Sequence, residues 1–357
     1  MRHAIKTLWL ALTAFAIVLL LSPRPHVKIK PSLQPSPTPP PPPPSPPPTT
    51  PFILDIVVAA DTPLFPGVAG LVRSARASSE YPESLQFHWI TLKADMDAAR
   101  DSLRCYGLDT FVRLIALPPE LLASRIRVSA DPAVTGKLAS PLNFVRFYLP
   151  QLLPSSVERV LYLDADIIVK ADVHALFEPS LLPPPYALAA VPRPEAHFRY
   201  SRYAKKCAAL FAARHNGRET LNVSAQTFNA GVALIDLRRW RAANLTSEAA
   251  WWMDQHKKAS GTTGLWALGS QPVMHLIMHG RWAPLPPSWN FDGLGRVPNL
   301  QKAAMESAKL LHWTGRKKPW LGDGLHQSAF TRHVGRAEVK SCCYRIHKRA
   351  QDAAANC

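Results

Sequence analysis

Residues 31–51 are dominated by proline, with serine and threonine between, and include the uninterrupted run Pro39 to Pro44. Such a stretch has almost nothing with which to build a core, so every folded element must lie before or after it. Its composition favours polyproline II geometry, an extended semi-rigid spacer of about 3 Å per residue. So short a segment reads as a stem in preference to a glycosylated, cell-wall-type proline module. Before it, Leu8 to Leu21 is apolar apart from Thr13, and Thr7 and Ser22 extend the stretch without adding a charge. That length borders on the roughly 17–25 apolar residues of a spanning helix. No small-residue cleavage site follows, which predicts a retained membrane anchor over a cleaved signal. Basic residues on both flanks leave its orientation open. The chain therefore divides into a tip, anchor and flank (1–30), a stem (31–51), a globular body (52–322) and a basic, cysteine-containing tail (323–357).

The body opens with Phe52 to Ala60, an apolar run that reads as a buried parallel strand, and meets a turn at Asp61-Thr-Pro63. Gly67 to Ser79 carries Val68, Leu71, Val72 and Ala75 at helical spacing, and Leu85 to Thr91 returns to strand composition. A β-like run, Phe111 to Ile115, precedes a helix-like stretch ending at Leu149, and Val157 to Leu163 reads as the next strand. Strands alternating with helices predict an α/β fold whose central, mostly parallel sheet is covered on both faces. Ligands of such sheets bind beyond the carboxyl ends of the strands, where Asp61, Asp164 and Asp166 fall.

A net charge of +17 suits nucleic acid, an anionic membrane surface or an acidic ligand, because each rewards a positive field. Much of that charge flanks the apolar segment (Arg2, Lys6, Arg24, Lys28, Lys30) or decorates the tail (Arg332, Arg336, Lys340, Arg345, Lys348, Arg349). No nucleic-acid-binding motif accompanies it, so nucleic acid is not an expected partner. Cys105, Cys207, Cys342, Cys343 and Cys357 have no C-x-x-C spacing, which argues against a zinc or thioredoxin-like site. Adjacent Cys342 and Cys343 are expected to bond elsewhere rather than to each other, and no pairing follows from spacing alone. The sequons Asn222-Val-Ser224 and Asn244-Leu-Thr246 suit a body facing a secretory lumen.

The chemistry concentrates at Tyr162-Leu-Asp-Ala-Asp166, where two carboxylates follow an apolar strand and precede a second apolar run. Like charges there repel and lose hydration, so a divalent cation is an economical reason for their proximity. The competing reading is a turn that uses Asp for backbone hydrogen bonds.

Together with Phe228-Asn-Ala-Gly-Val232 and His312-Trp-Thr-Gly-Arg-Lys-Lys-Pro-Trp320, in that order, this segment resembles glycosyltransferase family 8. Ser140 to Leu149, Leu237-Arg-Arg-Trp-Arg241 and Leu268-Gly-Ser-Gln-Pro272 look like the plant galacturonosyltransferase-like branch. The resemblance implies a GT-A, Rossmann-like fold, a UDP-sugar donor, a glycan acceptor, Mn²⁺ and retention of anomeric configuration. Asp164 and Asp166 match the metal-binding pair and His312 its third protein ligand, a mixed oxygen and nitrogen set that suits Mn²⁺ over Mg²⁺. Lys318 matches the lysine that meets the diphosphate, and Gly315 permits close backbone approach there. Asp61 matches the reader of the nucleotide base, Arg146 an arginine facing the donor sugar, and Asn229 and Ala230 the sugar-contacting segment. The implied setting is a single-pass type II protein of the Golgi membrane with a lumenal body. Its acceptor would be a cell-wall polysaccharide or glycoprotein, and a complex with other glycosyltransferases is a further implied partnership.

One departure bears on mechanism. Many family members carry an acidic segment near the reacting carbon, where this chain has Gly269-Ser270-Gln271. Neither Ser270 nor Gln271 is a glycosyl nucleophile without activation, which turns the expectation from a covalent intermediate to a front-face substitution. Ser270, Gln271 and Arg146 are the candidate catalytic residues. The same loss permits an alternative, a catalytically impaired glycan-binding or complex-organising protein of the same fold.

Overall fold

The computed structural model describes residues 52–122, 140–193, 197–259, 264–266, 269–343 and 346. The expected anchor and stem lie outside the described residues, and no described helix is long and apolar enough to cross a membrane.

Seven strands form the central sheet: β1 (Leu54–Ala59), β2 (Leu85–Leu92), β3 (Val112–Leu117), β4 (Arg159–Leu163), β6 (Leu188–Arg193), β7 (Thr227–Asp236) and β8 (Ala283–Pro284). Their order is β3-β2-β1-β4-β7-β6-β8. β1 pairs in parallel with β2 and β4, and β2 with β3, while β7 runs antiparallel to β4 and β6. The helices are α1 (Phe65–Ala77), α2 (Met96–Cys105), α3 (His197–Arg214), α4 (Leu237–Ala242), α5 (Leu245–Lys258), α6 (Gln271–Ile277) and, after a short turn, α7 (Gln327–Thr331). Alternation along β1 explains its unbroken apolar run. Leu54, Ile56 and Val58 enter one core cluster, Val57 and Ala59 the other, so both sheet faces are buried.

A second, three-stranded sheet joins β5 (Ile167–Val169), β10 (Leu310–His312) and β9 (Phe291–Asp292), with β10 antiparallel to β5 and parallel to β9. The three residues between β4 and β5 that lead into this sheet are the Asp-Ala-Asp turn, with both its carboxylates. Chain from 323 onward shares the core, since Phe330, Val334, Val339 and Ile346 are buried in the cluster containing Ile56. Cys342 is tied to Cys105 at the end of α2 by a disulfide, whereas Cys207 is unbridged among the described residues.

The helix-like stretch ending at Leu149 takes a different form in its described part. Residues Pro141–Phe147 make a 3₁₀ helix, followed by a separate α-turn at Leu149–Leu152. Pro150 cannot supply the N–H that a continuous helix would need, so the segment breaks there. The 3₁₀ helix still buries Leu142, Phe144, Val145 and Phe147, and with them Arg146.

Candidate active site

The crossover from β3 back to β4, on the far side of β1, makes a topological switch point between β1 and β4. Asp61 follows β1 there and Asp164 follows β4. Because β7 is antiparallel to β4, its first residues also reach this end, and Asp164 N donates to Gly231 O at 2.8 Å. Pairing of β6 with β7 skips from Ala233 to Asn229 at a bulge. The Ala230 carbonyl oxygen is thereby left out of the β6–β7 pairing and is open to a side chain instead.

Asp164, Asp166 and His312 present ligand atoms that all lie within 4.8 Å of one another. His312 Nε2 is 3.2 Å from Asp166 Oδ1 and 3.6 Å from Asp164 Oδ2. Its Nδ1 donates to Asn290 Oδ1 at 2.9 Å, which leaves the Nε2 lone pair directed at two carboxylates. A lone pair facing carboxylate oxygens requires a cation or proton between them, and the donor set fits a divalent ion held by two oxygens and one nitrogen.

Lys318 is buried, donating from Nζ to Asp166 Oδ2 and, at 2.6 Å, to Trp313 O. Burial opposes ionisation of Asp166, but the Lys318 ammonium, foremost among the opposing causes, holds the carboxyl well below its ordinary range. One oxygen of Asp166 is thus turned to the ion position and the other braced by an ammonium.

Arg146 ties the start of β7 to the end of β4. Its Nη1 donates to Ala230 O at 2.9 Å, and its Nη2 lies 3.3 Å from both Tyr162 Oη and Asp164 Oδ1. Burial would lower its pKa, yet Tyr162 and Asp164 more than offset this and raise it, so the guanidinium stays charged. Burial pushes the Tyr162 hydroxyl up to about 12, which keeps that partner neutral.

Asn229 is buried, with Oδ1 accepting from Gly231 N at 2.7 Å and Nδ2 donating to Asp292 Oδ2 at 2.9 Å. Gly231 is required by space: a Cβ there would stand 2.5 Å from Asp164 Oδ2 and 2.5 Å from His312 Cε1. Gly231→Ala should therefore spread the ligand set and lower divalent-cation affinity by about 10–100-fold, the range for a displaced metal surround. Titration calorimetry on the folded variant checks this, and wild-type affinity would refute the steric account. Gly315 has φ +116° and lies against Gly295 and Arg296, a close approach that only glycine permits.

Ser270 is buried just ahead of α6, and Gln271 opens that helix with Nε2 donating to Phe228 O at 3.3 Å. One turn later His275 donates from Nε2 to the same oxygen at 3.0 Å; burial holds its pKa down at about 4, so the ring is neutral. Gln271 and His275 thus anchor α6 beside Asn229. Asn290, Asp292 and His275 escaped the sequence reading, and Tyr162 entered it only as the first residue of the Asp-Ala-Asp motif. The one signal for Asn290 and Asp292 is their alternate spacing, Asn290 just ahead of β9 and Asp292 on it, which is legible only once β9 is known to pair with β10.

Paired carboxylates at the switch point of a mostly parallel sheet make a GT-A-like arrangement. The Glycosyl transferase family 8 model matches residues 59–324, and the chain belongs to that family. It is 29 % identical over 279 residues to probable galacturonosyltransferase-like 6 of Arabidopsis thaliana, covering 76 % of this chain and 75 % of that protein. To probable galacturonosyltransferase-like 3 of the same plant it is 31 % identical over 278 residues, covering 76 % and 75 %. In fold it matches the galactosyltransferase LgtC, solved with donor and acceptor sugar analogues. The TM-score is 0.55 at 20 % identity, over 82 % of this chain and 96 % of that one.

Proposed function

We propose that this glycosyltransferase moves a hexosyl or uronosyl residue from a UDP-sugar to a glycan acceptor, with retention of configuration and with Mn²⁺ held by Asp164, Asp166 and His312. The observation that carries this reading is the convergence of two carboxylates with an imidazole whose tautomer Asn290 sets. The ion supplies charge neutralisation for the diphosphate. The rest is done by the chain. Lys318 adds a fixed cation against the charge developing on the leaving group, and Gly315 lets backbone approach it. Asp61 reads the base, and Arg146, Asn229 and Ala230 line the sugar. Ser270 and Gln271 act by positioning, since neither side chain is a glycosyl nucleophile without activation. A non-catalytic scaffold would need none of Asp164, Asp166, His312 and Lys318 together, which favours the enzyme over the glycan-binding alternative.

The names of the plant relatives support a uronosyl residue as the group transferred. A Golgi type II placement draws support from the Cys105–Cys342 disulfide, since such bonds persist in oxidising compartments. Asn222 and Asn244, both exposed, are sites where glycan would mark a lumenal body. Protease shaving of intact vesicles tests the placement, and digestion of the body without detergent would refute it.

The function is tested by assaying the purified protein against a panel of UDP-sugars and glycan acceptors. Chelation should stop transfer and Mn²⁺ restore it better than Mg²⁺, with an α-linked product by NMR from an α-linked donor. Absence of transfer with every donor rejects the enzyme reading, equal rescue by Ca²⁺ counts against His312 as a ligand, and an inverted product removes retention.

A further inference from the structure

Beside the Asp-Asp-His cluster, a second set of charged side chains meets where β6, β7 and β9 approach one another. Arg193, the last residue of β6, and Asn229 both donate to Asp292 Oδ2. Arg296 Nη2 stands 3.7 Å from the other oxygen, Oδ1. Two guanidinium groups thus meet at one carboxylate. Asp292 is not one of the candidate ion ligands. It is nevertheless their neighbour, being in register with His312 across the β9–β10 pair. Asn229 links it to Gly231, which touches both Asp164 and His312.

Structural need alone does not explain the arrangement. The side chains of Arg193 and Arg296 are 27 % and 50 % exposed, and ion pairs so open to solvent return little stability. What the cluster does provide is planar, two-pronged donors at the rim of the sugar-lining segment, oriented by Asp292 in advance of any ligand. Guanidinium forks match carboxylates bidentately, and a hydroxymethyl group offers them no charge to meet. We propose that Arg193 and Arg296, held by Asp292, form a subsite for the carboxylate of a uronic acid residue. This rests on the reading of the neighbouring site as one that binds a nucleotide sugar and a glycan. The carboxylate has two sources, a uronosyl donor or an acidic acceptor.

The test compares UDP-glucuronate and UDP-galacturonate with UDP-glucose and UDP-galactose, and trigalacturonate with a neutral trisaccharide. Each pair is measured for binding and transfer with the full-length wild type, Arg193→Gln and Arg296→Gln. Wild type should prefer the acidic member in one arm, donor or acceptor, and the arm identifies the source. Arg193→Gln should lower the acid-to-neutral ratio by about 10–100-fold, the worth of charge-assisted hydrogen bonds, and the more exposed Arg296→Gln by less. If Arg193 merely positions Asn229, acidic and neutral substrates weaken together and the unchanged ratio overturns the subsite. A wild type indifferent to the carboxylate in both arms overturns it too. Arg193-dependent binding of trigalacturonate without transfer from any donor would support the subsite while removing the proposed activity.

Discussion

Asp166→Asn should lower transfer by about 10³-fold or more, because it removes one of two negative charges from the ion position and leaves the diphosphate poorly neutralised. The structure adds a second consequence. Lys318 is buried against Asp166 and is left with neutral acceptors, such as the Trp313 carbonyl, once that charge is gone. Breaking a buried pair by removing one partner costs about 3–5 kcal/mol, since the remaining charge is left uncompensated in a poorly solvated site. Asp166→Ala would be no gentler. The double variant Asp166→Asn/Lys318→Met removes both charges and should recover most of the lost stability while staying inactive. Urea denaturation and transfer assays on the two variants separate these effects. Full activity in folded Asp166→Asn would sink the metal assignment, and a double variant as unstable as the single one would sink the ion-pair account.

Loss of the Cys105–Cys342 bridge should have the largest effect on stability outside the site. The two cysteines are 237 residues apart, so the bond closes nearly the whole described chain into a loop. The chain-entropy model gives about 5 kcal/mol for a loop of that size, at the upper end of the roughly 2–5 kcal/mol found on removing native bridges. Cys105→Ser, Cys342→Ser and reduction of the wild type should give similar shifts in the denaturation midpoint. Activity measured well below the transition should persist, since neither cysteine belongs to the site. A midpoint unmoved by reduction would mean that the bond is absent in the folded protein.

Much of the sheet was legible in the sequence for a local reason. A strand buried on both faces is rich in apolar residues at neighbouring positions, and the runs at 52–60, 85–91 and 157–163 are rich enough that β1 and β4 fall inside the first and last and β2 overruns the middle one by a single residue. The 140–149 segment misled because its apolar content resembles a helix, while Pro150 decides the backbone. Cysteine pairing was closed to sequence reading, since spacing cannot say which thiols the fold brings within bonding distance. Cys105 meets Cys342 only because the chain end returns to the core beside α2.

By itself, the sequence determined the α/β alternation, the Asp-Ala-Asp turn at the end of an apolar strand, and, through its ordered motifs, the family. Those signals are local: periodicity and short-range turn chemistry act over a few residues, and a motif keeps its meaning wherever the fold carries it. Only the tertiary structure decided that the Asn290 side chain sets the His312 tautomer, that Lys318 braces Asp166 across 152 residues, and that Arg193 meets Asp292 across 99. Each of these contacts depends on strand order and register, including the antiparallel entry of β7 and the bulge opposite β6. Those are set by how the whole chain buries its apolar surface, and no window of sequence contains that information.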